Sequence, residues 1–341
     1  MLSKKNLKYL VNILVCVAMT FVSCSTALSY SPPKWFLLPP NNDEASMYGA
    51  GHGTTVEDAT NEALNQIASK MSITVGSAFE KTETAASNSG VESYNRQVSN
   101  NITSKVAKIK FNNYEVINKS NDGQEVFLLV SVDKKRFVSE KVTELKNADE
   151  YIYSTYALGA DKSIIERINL YRGVTSKIKE NNFLLGIIQS VEPSFNVQSY
   201  HSKYNKLAAD IKAVSSRLQV YLDYGPDSKE LIPVVTKHLN DASIVIVPSY
   251  DPDNKDLVAL QISSELKRLE LYGAKIVKFR TNFEAKTAAG NTVAAAKIET
   301  KGSSTISFNE AYQAAAINLD KKIKEAGVWA MLGMEKEAAQ Q

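Results

Sequence analysis

Cysteine is nearly absent from this sequence: Cys16 and Cys24 are the only two in 341 residues. Such a chain has no disulfide framework and no cysteine-rich metal site. Histidine is scarce as well. His52, His201 and His238 lie far apart, and none has a second ligand at metal-binding spacing. Long apolar runs are missing too: the longest, from Tyr9 to Val22, is broken by Asn12 and Thr20. It falls short of the roughly 18 to 20 residues that a hydrocarbon-spanning helix needs. An excess of one charge is also lacking. Three of the 40 basic residues, Lys4, Lys5 and Lys8, precede Cys24 and no acidic residue does, which leaves 37 of each sign in the remainder. No basic stripe marks a nucleic-acid surface, so no nucleic-acid partner is expected.

What is present is ordinary globular composition, 44% hydrophobic and 23% charged. The length suits two or three domains. The first 25 residues have their own order: the three lysines, the apolar run, then Phe21-Val22-Ser23-Cys24-Ser25. That is the layout of a secretory signal peptide. Its end resembles the lipobox of bacterial lipoproteins, in which cleavage falls before a cysteine that then receives acyl chains. Val22, Ser23 and Cys24 fit the last three places, and Phe21 stands where leucine is usual. The resemblance implies a signal peptide over 1–23, cleavage between Ser23 and Cys24, and lipidation of Cys24. Two or more acyl chains anchor far better than one, at about 0.8 kcal/mol per buried methylene. Ser25 after the cysteine implies the outer rather than the inner membrane of a diderm envelope.

Residues 24–40 read as an acylated cysteine and a tether. Pro32-Pro33 and Pro39-Pro40 bracket Lys34-Trp35-Phe36-Leu37-Leu38 and predict extended backbone without helix. Trp35 and Phe36 are expected to pack on the first domain rather than on lipid. Residues 41–148 read as an α+β domain. Tyr48-Gly49-Ala50-Gly51-His52-Gly53 predicts a strand with glycines where two backbones approach. Thr54 and Glu57 predict a capping box. Val56, Ala59, Ala63, Ile67 and Met71, widened by Leu64 and Ala68, then predict a helix packed closely on a sheet. Ile73 to Phe79 alternates like a strand, and 85–93 is loop-like. Val98, Ile102, Val106 and Ile109 have helical spacing. Asp122-Gly123 between two β-rich runs, 113–119 and 125–133, predicts a hairpin. A helix is predicted from 135 onward.

The Trp after prolines, the Tyr-Gly-Ala-Gly run, the alanine-stepped helix and the hairpin ending Phe127-Leu128-Leu129-Val130-Ser131-Val132-Asp133 together resemble the Lpp-twenty family of bacterial lipoproteins, over about residues 33–145. The resemblance implies outer-membrane anchoring. It brings no catalytic residues, and the family includes surface antigens and flagellum-associated envelope proteins.

Residues 149–225 read as a helical hairpin. Tyr200, Tyr204, Leu207, Ile211, Val214, Leu218 and Tyr221 step like a heptad seam. Ile164, Ile168, Tyr171, Thr175, Ile178, Asn182 and Leu185 form the opposing one. Pro193 breaks the helix and Ser194 is placed to cap the next. The seams are expected to bury each other within one chain, and the alternative is that one pairs with a second copy. Gly225-Pro226-Asp227 reads as a boundary, followed by a second small α+β domain over 226–330 and a polar tail over 331–341. Within that domain 229–240 suits a short helix and Ala242–Val247 a buried strand. Residues 256–264 and 268–279 are read as strands around a turn at Tyr272-Gly273, although 265–271 also has helical character. A further strand over 291–299 follows Ala289-Gly290. The closing helix has Ala311, Ala315, Leu319 and Ile323 on its face and ends at Gly327.

A search for chemistry returns little. Gly51-His52-Gly53 lacks the spacing of a dinucleotide or P-loop turn, although glycine before a helix can cradle an anion. Asp251, Asp253 and Asp256 resemble half a calcium loop, but Lys255 replaces an oxygen ligand and no closing glutamate follows. No nucleophile elbow or kinase motif is present. The reading is therefore an α+β, non-enzymatic envelope lipoprotein with no catalytic residues, cofactor or metal. Its expected partners are the membrane, other envelope proteins and a second copy of itself. The alternative is a lipoprotein that activates a periplasmic enzyme such as a cell-wall synthase.

Overall fold

A computed structural model describes residues 31–84 and 109–334. The predicted signal peptide with Cys16, Ser23 and Cys24, the loop at 85–93, most of the helix expected over 98–109 and the tail from Glu335 lie outside the described residues. The architecture is α+β, as expected. It divides into two compact units. One contains residues 31–70 and 109–134; the other contains 71–84 and 135–334.

The first unit departs from the expected helix-free tether at its start. Lys34–Leu37 forms a helical turn, α1, between the proline pairs. The Pro33 carbonyl accepts from the Phe36 and Leu37 amides at 2.9 and 3.1 Å. Proline tolerates a helix start, where its missing N–H is not needed, so the paired prolines bound this turn rather than forbid it. Phe36 packs edge-on against Phe127 with centroids 4.9 Å apart, as expected of a residue that starts the domain.

Strand β1 (Ser46–Gly53), helix α2 (Val56–Thr84), β2 (Glu115–Asn121) and β3 (Val126–Asp133) follow. The three strands form an antiparallel sheet in the order β1-β3-β2. β3 is central and buried on both faces, so Phe127 and Leu129 are as enclosed as Val126, Leu128, Val130 and Val132. The Asp122-Gly123 turn forms as predicted, with Gly123 at φ +92° and Asp122 Oδ1 accepting the Gln124 and Glu125 amides at 2.8 and 2.7 Å. The start of α2 is one residue later than predicted. Thr55, not Thr54, accepts from the Asp58 amide at 3.1 Å, and Val56 remains exposed. Ala59, Ala63, Ile67, Ala68 and Met71 are buried as their spacing requires. Gly49 and Gly51 sit so close to the Ala59–Ala63 turn of α2 that any side chain would overlap its backbone.

The predicted strand at 73–79 is instead the continuation of α2. Ile67, Met71 and Val75 continue in steps of four and all are buried. That helical period outweighs the two-residue alternation of the β-branched residues.

The second unit holds α3 (Lys134–Leu158), α4 (Ile164–Val191) and α5 (Val197–Ser215). α4 and α5 form the expected hairpin. Asn196, rather than Ser194, caps α5, its side chain accepting from the Ser199 amide at 3.3 Å. The heptad reading runs too far. α5 ends at Ser215, and Leu218 and Tyr221 lead into a strand, β4 (Gln219–Tyr224). β4 is an inner strand of a five-stranded sheet ordered β5-β4-β6-β7-β8. A 3₁₀ turn at Pro226–Leu231 and helix α6 (Ile232–Asp241) follow directly. β5 is only Val245–Val247 and sits at the sheet edge with Val245 half exposed, so the apolar run is not a buried strand.

Three long strands, β6 (Leu257–Leu271), β7 (Ala274–Thr287) and β8 (Thr292–Ser304), form an antiparallel meander. Tyr272 and Gly273 both have positive φ, which makes the predicted two-residue hairpin and rules out the helical reading of 265–271. Helix α7 (Phe308–Ala326) lies on the sheet through Ala311, Ala315, Leu319 and Ile323, all fully buried, and ends at Gly327 as predicted. Helix α8 (Val328–Met331) completes the core. Among the described residues no helix is long and apolar enough to cross a membrane.

Candidate functional site

The three histidines are not brought together. His52 ends β1 in the first unit, and its backbone amide donates to Glu62 at 2.8 Å. Its ring stacks on Phe127, and its nitrogens face Glu62 and Glu125 at 3.6 and 3.5 Å. Two carboxylates flanking Gly51-His52-Gly53 oppose anion binding there. His201 lies on α5, where burial lowers its pKa. His238 on α6 is buried, and its Nε2 lies 3.0 Å from Asp320 Oδ1 without the geometry of a hydrogen bond. Lys237 donates to the same carboxylate at 3.0 Å, and that bond is the main reason the Asp320 pKa falls below the usual range.

Asp251, Asp253 and Asp256 form a turn held by its own backbone. Asp251 Oδ1 accepts the Asp253 amide and Asn254 Oδ1 the Asp256 amide, each at 3.0 Å. Among the described residues no group of three or more acidic, histidine or cysteine side chains is arranged to hold a metal.

Two polar features were not anticipated. In the helical layer Asn181 of α4 donates to the Tyr204 hydroxyl at 2.8 Å, and that hydroxyl donates to Asp149 of α3. Burial raises the Tyr204 pKa and the neighbouring carboxylate raises it further, so the hydroxyl keeps its proton. One residue from each of three helices is thus tied at one point.

The other feature is a groove of about 720 Å³ between the far end of the meander and α7. Its floor is two cross-strand rows. Glu265, Arg280 and Glu299 lie side by side, with Arg280 bonded to the two carboxylates at 3.1 and 2.8 Å. Two residues along, Lys267, Lys278 and Lys301 lie directly opposite one another on β6, β7 and β8. Asn318 and Lys322 of α7 donate to the outward carbonyls of Lys301 and Glu299, each at 2.6 Å, and cover the β8 edge. Each lysine is visible in sequence, but a row across strands needs the register.

No curated protein matches the chain. Among solved structures, a minor lipoprotein from Acinetobacter baumannii aligns at 12% identity and a TM-score of 0.27, over 33% of this chain and 90% of that one. The secreted protein HP1454 from Helicobacter pylori aligns at 12% identity and a TM-score of 0.45, over 84% of this chain and 98% of that one. The model of the LPP20 lipoprotein family matches residues 33–133, which include α1, the β1-β3-β2 sheet and α2. The Lpp-twenty resemblance of the sequence is thereby shown over residues 33–133, where this chain is similar to the LPP20 lipoprotein family.

Proposed function

We propose that this chain is a lipid-anchored lipoprotein of the bacterial outer membrane, acylated at Cys24, with a scaffolding rather than a catalytic role toward other envelope proteins. The observation that carries the reading is the order of features. A basic start, a short apolar run and a cysteine lead into a segment matched by a lipoprotein family model from residue 33. Acyl chains on Cys24 would supply the membrane attachment. A place among flagellum-associated envelope parts follows from the family resemblance alone.

The test is intact mass and membrane fractionation of the full chain beside Cys24→Ser. Acylated wild-type protein in the outer membrane and an unacylated variant outside it support the proposal. Two soluble, unacylated proteins refute it. Light scattering of the detergent-solubilised chain tests self-association, and a monomer at every concentration removes that part.

A further inference from the structure

We propose that the Lys267–Lys278–Lys301 row is a binding site for a phosphate group, carried either by a lipid headgroup or by a small soluble phosphate ester. Directly opposed like charges on neighbouring strands destabilise a sheet. Here three lysines are aligned across β6, β7 and β8. The adjacent row shows what internal neutralisation looks like, because Arg280 is clamped between Glu265 and Glu299. Within the lysine row only Lys267 has a carboxylate nearby, Glu265 at 3.0 Å, and that carboxylate is shared with Arg280.

The surroundings strengthen the case. Lys321 and Lys322 of α7 add positive charge to the same groove. Glu325 lies 4.0 Å from Lys321 and offsets one of them. Thr300, between Glu299 and Lys301, turns its side chain to the opposite, buried face of β8 and leaves the row to the lysines. Neighbouring strands are about 4.8 Å apart, so one tetrahedral anion can meet ammonium groups from adjacent strands. Lysine serves such a site as a mobile point charge rather than as a rigid fork.

The test is thermal unfolding of the full chain in nonionic detergent, in sodium phosphate against sodium chloride at equal ionic strength. It is run on wild type and on Lys278→Gln/Lys301→Gln. General salt effects act on both proteins alike, so the difference between them reports the site. Wild type is expected to gain about 2–4 °C in phosphate beyond the gain of the double variant. Lys301→Arg should keep the gain.

Short-chain dihexanoyl phosphatidylglycerol, with dihexanoyl phosphatidylcholine as control, separates the two sources. A response to the anionic lipid alone assigns a headgroup, and a response to inorganic phosphate as well assigns the phosphate itself. No difference between wild type and double variant in either phosphate or the anionic lipid overturns the proposal. So does a double variant that melts well below wild type in chloride, since the lysines would then be holding the sheet together.

Discussion

Gly49 and Ala63 meet backbone to backbone: a methyl group on the α-carbon of Gly49 would overlap the Ala63 carbonyl oxygen. Gly302 of β8 stands in the same relation to Ala311 of α7. Both units therefore seat an alanine-faced helix directly on a glycine of the sheet. Gly49→Ala, Gly51→Ala and Gly302→Ala are each expected to cost about 2–4 kcal/mol, because rigid backbone must move apart. Gly225, with φ −81° and open space around it, should tolerate alanine without loss. Urea unfolding of the four variants checks the contrast, and equal effects at Gly49 and Gly225 would contradict the packing argument.

Tyr204→Phe keeps the ring and removes the hydroxyl between Asn181 and Asp149. The Asn181 amide then loses its 2.8 Å bond while remaining buried. A cost of about 1–3 kcal/mol is expected. Denaturation of Tyr204→Phe against wild type measures it, and an unchanged midpoint would mean that the three helices do not depend on this tie.

Burial holds the His201 pKa below its ordinary 6.5. Above that pH the imidazole is neutral in both states and has no effect. As the pH falls below 6.5 the unfolded chain takes up a proton more readily, so folding stability is lost down to the lowered native value. His201→Gln should flatten the stability profile between about pH 7 and 5. Carboxylates such as Asp320 act only at lower pH, since their native values are depressed below 3.8. Urea midpoints at several pH values decide this; parallel profiles for the two proteins would be the negative result.

Tyr272 occupies the left-handed region at φ 50° and is fully exposed at the tip of the β6–β7 hairpin. Asparagine suits that position better than a bulky residue. Tyr272→Asn is expected to stabilise by about 0.5–1 kcal/mol, within the usual cost of left-handed backbone. A rise in the thermal midpoint would confirm it, and a fall would assign the tyrosine a packing role.

Much of the fold could be read from local pattern. Helical spacing marked α2, α4, α5 and α7, and positive-φ turns at Gly123 and Gly273 marked two hairpins. The failures have a common cause. At 73–79 and 216–224 a short pattern fitted helix and strand alike, and burial against distant residues decided between them. Val75 belongs to a helix because its neighbours one turn back are already buried. Tyr221 belongs to a strand because β6 runs parallel beside it.

The lysine row marks the limit most clearly. The two-residue turn at Tyr272-Gly273 settles the β6–β7 register, so Lys267 opposite Lys278 was already determined by the sequence. Lys301 was not. Near the second turn Lys286 pairs with Thr292, a register that would set Lys278 opposite Thr300. An irregularity between Ala285 and Lys286 shifts the pairing by one, so Lys278 meets Lys301. A shift of one residue turns every side chain beyond it to the other face of the sheet. The shift also places Gly302 against Ala311 and Thr300 in the buried layer. Composition and spacing determined the elements and the turns that join them; which charges share one face was decided by packing against α7.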